Sequence, residues 1–152
     1  MEKQLFHLGV KMIIQNSQGK VLILKPKGHD KWDLPGGKIQ HGESVLEALQ
    51  GKIEEETGLS KLTNILPQKM ILPQGTFATH LKVKVPLEGT PDDGLITWLH
   101  TCSLLEDQPV VLGPDYQEFQ WVSWRQARNL LDIDCAGVSL NLVEEEAHAI
   151  PA

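Results

Sequence analysis

The sequence predicts an α/β fold in which a curved, mixed sheet is sandwiched between helices. Three observations support this prediction: short segments are rich in apolar and β-branched residues, other segments have helical periodicity, and the two kinds follow one another in mixed order. The 152 residues, 41% of them hydrophobic, are enough for one compact core. Residues 1–152 are therefore expected to form a single domain.

Two apolar segments near the N-terminus, residues 6–14 and 21–24, flank the turn-forming residues 16–19 and predict a hairpin. Pro35, Gly36 and Gly37 then interrupt regular structure, so a loop of special backbone geometry is expected there. Further strands are predicted at residues 62–72, 79–85, 95–104 and 118–122, and further helices at residues 124–131 and 139–148.

The best-defined helix is predicted at residues 44–57. Ser44 and Glu47 fit a capping box, in which each side chain accepts a hydrogen bond from a free backbone N–H of the first turn. Gly58 suits the left-handed position that follows a helix. The apolar residues at steps of three and four should form its buried stripe, namely Leu46, Leu49 and Ile53.

Charge and composition exclude several classes of protein. The net charge of -6 gives no basic surface for gripping a long nucleic acid by its phosphates. Cys102 and Cys135 are typical of ordinary buried thiols in a reducing compartment, so no disulfide framework is expected. The N-terminal residues lack the pattern of a signal peptide, and no apolar run is long enough to cross a bilayer. We expect a cytoplasmic protein without membrane contact.

The segment most informative about chemistry is the C-terminal end of the helix at residues 44–57. Glu54, Glu55 and Glu56 lie where the helix dipole disfavours negative charge, and such violations of a local rule often mark function. At 100° per residue, Glu55 and Glu56 project from one side and share an arc with Lys52. Paired carboxylates suit Mg²⁺ or Mn²⁺, and the glycine loop before the helix offers a backbone carbonyl.

This segment resembles the Nudix box, G-x5-E-x7-R-E-U-x-E-E-x-G-U, where U is a bulky aliphatic residue. The matching positions have the family's spacing, and the preceding Trp-Asp-Leu-Pro-Gly also looks like the family's approach to the box. Two positions depart from it, because the chain has Gly51 and Lys52 in place of Arg-Glu. The positions that match are Gly37, Glu43, Ile53, Glu55, Glu56, Gly58 and Leu59.

The resemblance implies a Nudix-type sandwich that cleaves a pyrophosphate bond in a nucleoside diphosphate linked to another moiety. It also implies dependence on Mg²⁺ or Mn²⁺, with Glu55, Glu56 and the Gly36 carbonyl as ligands, and Glu55 and Glu56 thereby taking part in catalysis. Glu43 would organise the loop, with Gly37 and Gly58 as structural glycines. Members commonly pair, so a homodimer is compatible with the resemblance.

The two departures leave an alternative open. Gly51 removes the family arginine expected to pair with Glu43, and Lys52 replaces a usual metal ligand or base with a cation. Lys52 can instead pair with Glu55 and Glu56 at three and four residues along the helix. The alternative function is a catalytically weak or inactive Nudix domain that binds a nucleotide or another protein.

The remaining candidates lie outside the box. Glu118 resembles an acid that reaches the family's metal site from a late loop, and is the candidate base or an extra metal ligand, the alternative being a solvated acid. Lys25 and Lys38 flank the glycine loop and can meet phosphate oxygens, although solvated lysines are equally compatible. Trp32 can stack on a nucleobase or pack in the core. Specificity is expected in the loops at residues 86–94 and 104–116.

Overall fold

The computed structural model describes residues 7–40, 42–71, 77–78 and 95–131. Over these residues the chain forms seven strands and two helices. The elements, in chain order, are β1 (His7–Gln15), β2 (Val21–Pro26), β3 (Gly36–Lys38), α1 (Val45–Thr57), β4 (Leu62–Ile71), β5 (Phe77–Ala78), β6 (Leu95–Leu104), β7 (Tyr116–Val122) and α2 (Trp124–Leu130).

All seven strands belong to one mixed sheet with the order β5-β4-β6-β1-β2-β7, and β3 pairs with β1. Strand β6 runs parallel to β1 along all nine residues of β1, whereas the other pairs are antiparallel. The remaining edge of β1 is shared: β2 meets it at Gln15, and β3 pairs with Gly9 to Lys11. The predicted hairpin is confirmed, and β1 and β2 separate beyond it to admit β3.

Each helix covers one face of the sheet. The α1-side core joins α1 to Val10, Met12 and Ile14 of β1, whereas the α2-side core joins Ala127 of α2 to Ile13. This alternation follows from the period of two along a strand, which sends successive side chains to opposite faces. The predicted sandwich of a mixed sheet between helices is therefore confirmed for the described elements.

The ends of α1 follow the predicted capping chemistry in part, because the reciprocal hydrogen bond from the Ser44 N–H to the Glu47 side chain is not formed. The Ser44 side chain accepts a hydrogen bond from the Glu47 N–H, and Gly58 adopts a left-handed φ of 71°. The predicted buried stripe is partly wrong, because Leu46 is 49% exposed. Ala48 and Leu49 face the core in the first half of the helix, and Val45 packs against it. The stripe therefore runs through positions 45, 48, 49 and 53.

Other boundaries differ from the predictions for identifiable reasons. The predicted loop at Gly36 and Gly37 is a short strand, because β1 offers the free edge described above. Strand β7 starts at Tyr116 rather than Glu118 because Tyr116 pairs with Pro26. The predicted strand at 79–85, the helix at 139–148, the loop at 86–94 and Cys135 lie outside the described residues. Neither described helix is long and apolar enough to cross a membrane.

Cys102 agrees with the prediction of an ordinary buried thiol. It is a free cysteine in the α1-side core, and burial raises the pKa of its thiol to about 12. A thiol with this pKa stays protonated near neutral pH, and the thiolate is the reactive form. Cys102 is therefore a packing residue rather than a nucleophile.

Replacing Gly51 by alanine is expected to stabilise the protein. Gly51 is an exposed residue within α1, and a Cβ placed on it meets no atom within 4 Å. Glycine in a helix interior is less favourable than alanine by about 1 kcal/mol. The free energy of unfolding should rise by roughly 0.5–1 kcal/mol, measured by urea denaturation. A decrease would contradict the placement of Gly51 on an open helix surface.

His100 should make stability fall on acidification. It is buried in β6, and burial lowers the pKa of its imidazole below 6.5, against an opposing backbone hydrogen bond at Trp98. The unfolded chain therefore binds a proton that the folded chain resists, and stability is lost as the pH falls from 6.5 towards the folded pKa. Urea unfolding at about pH 7.5 and about pH 5 should show a smaller loss for His100→Gln than for the unmodified chain. The exposed His29→Gln variant is the control, and an unchanged loss in His100→Gln would contradict the prediction.

Candidate functional site

A pocket of about 180 Å³ lies where β3, the second half of α1 and the segment leading into β7 meet. Its volume accommodates several water-sized groups, such as the oxygens of a diphosphate. Charged side chains and backbone line it together, which is the composition expected of a site for a polar, charged ligand. The lining residues are Gly36, Gly37, Lys52, Glu55, Glu56, Gly113, Pro114, Asp115 and Tyr116.

Glu56 is fixed at the wall of this pocket by two donors. The Gly36 N–H donates to Oε2 at 2.8 Å, and the Tyr116 hydroxyl donates to Oε1 at 2.9 Å. Burial raises the pKa of Glu56 above its ordinary value, while these two hydrogen bonds act in the opposite direction. Burial and the neighbouring Glu56 carboxylate raise the pKa of Tyr116, so its hydroxyl stays protonated and donates. The three residues tie α1 to β3 and β7.

The segment before β7 also explains how α1 tolerates acids at its C-terminal end. The Val111 N–H donates to the Thr57 carbonyl and the Gly113 N–H to the Glu56 carbonyl, both at 2.9 Å. These donors satisfy two carbonyls that otherwise lack partners at a helix end. The approach is so close that a Cβ on Gly113 would lie 2.6 Å from the Glu55 carbonyl oxygen. The same contact brings Asp115 and Tyr116 to the pocket.

Gly36 is needed because β3 approaches β1 very closely. Its φ is 142°, and a Cβ would lie 2.0 Å from the Val10 carbonyl oxygen. Nearby, the Lys11 ammonium donates to Asp33 at 2.9 Å and to the Leu34 carbonyl at 3.1 Å. The charge of Lys11 lowers the pKa of Glu56 and that of Asp33 raises it, both less than burial does. A charged pair therefore lies close enough to act on the Glu56 carboxylate.

Lys52 lies along Gly37 rather than against the glutamates of its own helix. Its Cδ, Cε and Nζ atoms are 3.2, 3.4 and 3.7 Å from the position that a Gly37 Cβ would take. Within residues 7–40, 42–71, 77–78 and 95–131, the ion pairs seen within 4.0 Å are Lys11–Asp33 and Lys61–Glu106. The expected pairing of Lys52 with Glu55 and Glu56 is therefore not formed. Lys52 lines the pocket instead.

The structure brings together some of the predicted site residues. Gly36, Glu55 and Glu56, which the resemblance implies as metal ligands, line the same pocket, as does Gly37. Glu43 lies before α1, where its Oε1 accepts a hydrogen bond from the Gln40 N–H at 2.7 Å. That contact holds the turn that leads into the helix.

Lys25, Trp32 and Glu118 are not brought to this pocket. The Lys25 ammonium lies 4.9 Å from the centre of the Trp32 ring, and Trp32 packs against the α2-side core. Glu118 is opposite Lys25 in the β2–β7 pairing, and opposite residues share a face of the sheet. That face is the one occupied by Ile23 of the α2-side core, whereas α1 covers the other. Lys38 is exposed and does not line the pocket either.

Sequence reasoning missed Asp115 and Tyr116, although it identified the segment that contains them. A usable signal was present: Tyr116 is the only tyrosine in the chain and follows an acid directly. In addition, Phe119 and Trp121 alternate along β7 with Glu118 and Gln120. Because successive side chains of a strand point to opposite faces, Glu118 does not share the face of the two aromatic residues. The pocket's carboxylate from this segment is thus Asp115, three residues before the predicted Glu118.

The donor set can be tested against a divalent metal ion. Among the residues that the structure describes, no three His, Cys, Asp or Glu side chains form a preassembled cluster. The pocket nevertheless has carboxylates on Glu55, Glu56 and Asp115, and each Glu56 oxygen retains a lone pair beside its one hydrogen bond. Mg²⁺ usually keeps several waters and takes one or two carboxylates plus substrate phosphates. The residues fit such a hydrated ion rather than a closed protein cage.

Comparisons with known proteins show which family the chain resembles over most of its length. The NUDIX domain, whose hydrolases generally use divalent metals, matches residues 5–138. An RNA pyrophosphohydrolase of Psychrobacter sp. (strain PRwf-1) is 44% identical over 54 residues, which are 36% of this chain and 31% of that relative. The nucleoside triphosphatase NudI of Enterobacter sp. (strain 638) is 29% identical over 128 residues, covering 80% of this chain and 84% of the relative.

Solved structures support the fold independently of these sequence relatives. That of a C. elegans Ap4A hydrolase superposes with a TM-score of 0.70 at 16% identity, covering 95% of this chain and 99% of that chain. An identity this low supports the fold alone. The match of the family over most of the chain confirms the resemblance that the box residues predicted, and the chain belongs to the NUDIX domain family.

Proposed function

We propose that this chain hydrolyses a pyrophosphate bond in a nucleoside diphosphate linked to another moiety, with the phosphates bound in the pocket described above. The observation that carries the proposal is the fixed Glu56 carboxylate, held by Gly36 and Tyr116 beside Lys52, Glu55 and Asp115. The family to which the chain belongs acts on small nucleotide-diphosphate substrates. The pyrophosphohydrolase names of its relatives are consistent with this reaction.

The residues of the pocket divide into two roles. Glu55 and Glu56 are the proposed carboxylate ligands of Mg²⁺ or Mn²⁺, with the Gly36 carbonyl. When bound, such an ion supplies Lewis acidity that stabilises charge developing on phosphate. Asp115 and Glu55 are the acids able to orient a water molecule and take its proton within the pocket.

A second candidate function is nucleotide binding without efficient hydrolysis. It is favoured by Lys52, which puts a cation in the pocket at the position where the family has a glutamate. In that case the pocket still binds phosphate, and what is lost is the metal ligand or base that the family glutamate supplies at position 52. The two functions differ in turnover and not in the place where the nucleotide binds.

The wider setting of the chain is part of the same proposal. We propose that residues 1–152 act as one domain, in the cytoplasm, without contact to membrane or to long nucleic acid, and able to form a homodimer. The net charge of -6 supports the exclusion of long nucleic acids. The chain spans about a third of the length of the RNA pyrophosphohydrolases that it first matches. Because the names of these relatives specify RNA, a short RNA belongs in the substrate panel. Light scattering tests the dimer.

The position of the base can be tested with two acids from the segment before and within β7. Asp115→Asn should reduce turnover by roughly 10²- to 10⁴-fold, because general acid–base catalysis commonly contributes about that much. Glu118→Gln should leave turnover near that of the unmodified chain. Phosphate release is measured from nucleoside diphosphates, sugar nucleotides and a short RNA with Mg²⁺ or Mn²⁺. Loss of turnover in Glu118→Gln alone would contradict the assignment, and absence of turnover throughout would favour the binding function.

A further inference from the structure

We infer that the Lys52 ammonium is a phosphate-binding group, which acts as a resident cation beside the diphosphate. This inference rests on the proposed function, because it assigns a ligand contact within the same pocket. It differs from the expectation drawn from sequence, in which Lys52 either obstructs a metal ion or pairs with Glu55 and Glu56.

The position of the side chain is the first support for this assignment. The last three heavy atoms of Lys52 lie along Gly37, at 3.2 to 3.7 Å from the position of an added Cβ. Lys52 is half-buried and lines the pocket together with Gly36 and Gly37. Glycine at position 37 therefore makes room for the lysine stem.

The second support is that the ammonium has donors to spare. It carries three N–H groups, yet no ion pair or side-chain hydrogen bond of Lys52 occurs within the described part of the chain. The helix carboxylates at three and four residues along, Glu55 and Glu56, form no ion pair with it within that part of the chain. A phosphate oxygen in the pocket would satisfy these donors through a charge-assisted hydrogen bond.

The third support is the balance of charge in the pocket. Glu55, Glu56 and Asp115 together repel a diphosphate, so anion binding needs positive charge near them. The Lys52 ammonium provides one such charge, and a divalent ion provides more when bound. Lys52 should therefore have opposite effects on the two ligands: it repels the metal ion and attracts the phosphates.

This opposition gives a test that does not depend on turnover. Binding of methylenediphosphonate, whose P–C–P bridge resists hydrolysis, is measured by calorimetry at saturating Mn²⁺. Lys52→Gln should weaken it about tenfold or more, the loss expected for one hydrogen bond to a charged group. Binding of Mn²⁺ alone should become tighter in the same variant, because a neighbouring positive charge is removed.

The control is Lys20→Gln, which removes one positive charge from an exposed lysine outside the pocket. It should leave both affinities unchanged. Unaltered diphosphonate affinity in Lys52→Gln would overturn the inference, and so would weaker binding of both ligands, which would indicate a structural role. If hydrolysis is absent while diphosphonate binding still depends on Lys52, the proposed function fails and the inference stands.

Discussion

Replacing Gly36 by alanine is expected to lower the free energy of unfolding by about 3 kcal/mol or more, the largest stability effect predicted for this chain. The added Cβ would lie 2.0 Å from the Val10 carbonyl oxygen and 2.9 Å from the Lys11 Cα, so backbone rather than a flexible side chain would have to move. The φ of 142° is also one that alanine rarely adopts. Separation of β3 from β1 would remove the Gly36 donor from Glu56 as well.

Gly51→Ala is the matched control for this substitution. It introduces the same methyl group at a glycine with no neighbouring atom within 4 Å, and its expected effect has the opposite sign. Both variants are compared by urea denaturation under the same conditions. Equal stability of Gly36→Ala and the unmodified chain would contradict the close packing of β3 on β1.

Glu56→Gln is expected to reduce turnover by roughly 100-fold or more while the fold is retained. The amide keeps one oxygen to accept from the Gly36 N–H, and its NH₂ group can donate to the Tyr116 oxygen once that hydroxyl rotates. The packing between α1, β3 and β7 is therefore largely preserved. The negative charge is lost, and with it the proposed ligand of the divalent ion.

The comparison variant for Glu56→Gln is Glu54→Gln. Glu54 is an exposed glutamate of the same helix and does not line the pocket, so its turnover should match that of the unmodified chain. Phosphate release is measured with the most active substrate of the panel, and circular dichroism checks the fold. Full turnover in Glu56→Gln would show that the carboxylate is not needed for hydrolysis.

Local chemistry made α1 predictable from sequence. The cap at Ser44 and the left-handed Gly58 each depend on residues within a few positions of the helix end. The spacing of the box then placed Glu55 and Glu56 near the glycine loop, and they line one pocket with Gly36. These features are set by sequence neighbours or by a family pattern, which is why they could be predicted.

The rest of the site depends on contacts between distant segments. The direction of Lys52 depends on Gly37, and the arrival of Asp115 depends on backbone hydrogen bonds to the end of α1. Lys25 was expected near phosphate because it precedes the glycine loop, yet strand alternation turns it to the Trp32 side of the sheet. No local pattern determines which partner a long side chain meets across the sheet.

A crystal structure with a nonhydrolysable nucleoside diphosphate analogue and Mn²⁺ would test the central claim most directly. The predicted result is phosphate density in the pocket beside the Lys52 ammonium, with the ion beside Glu55 and Glu56. Phosphates bound instead near Lys25 and Trp32, on the α2 side of the sheet, would contradict the assignment of this pocket.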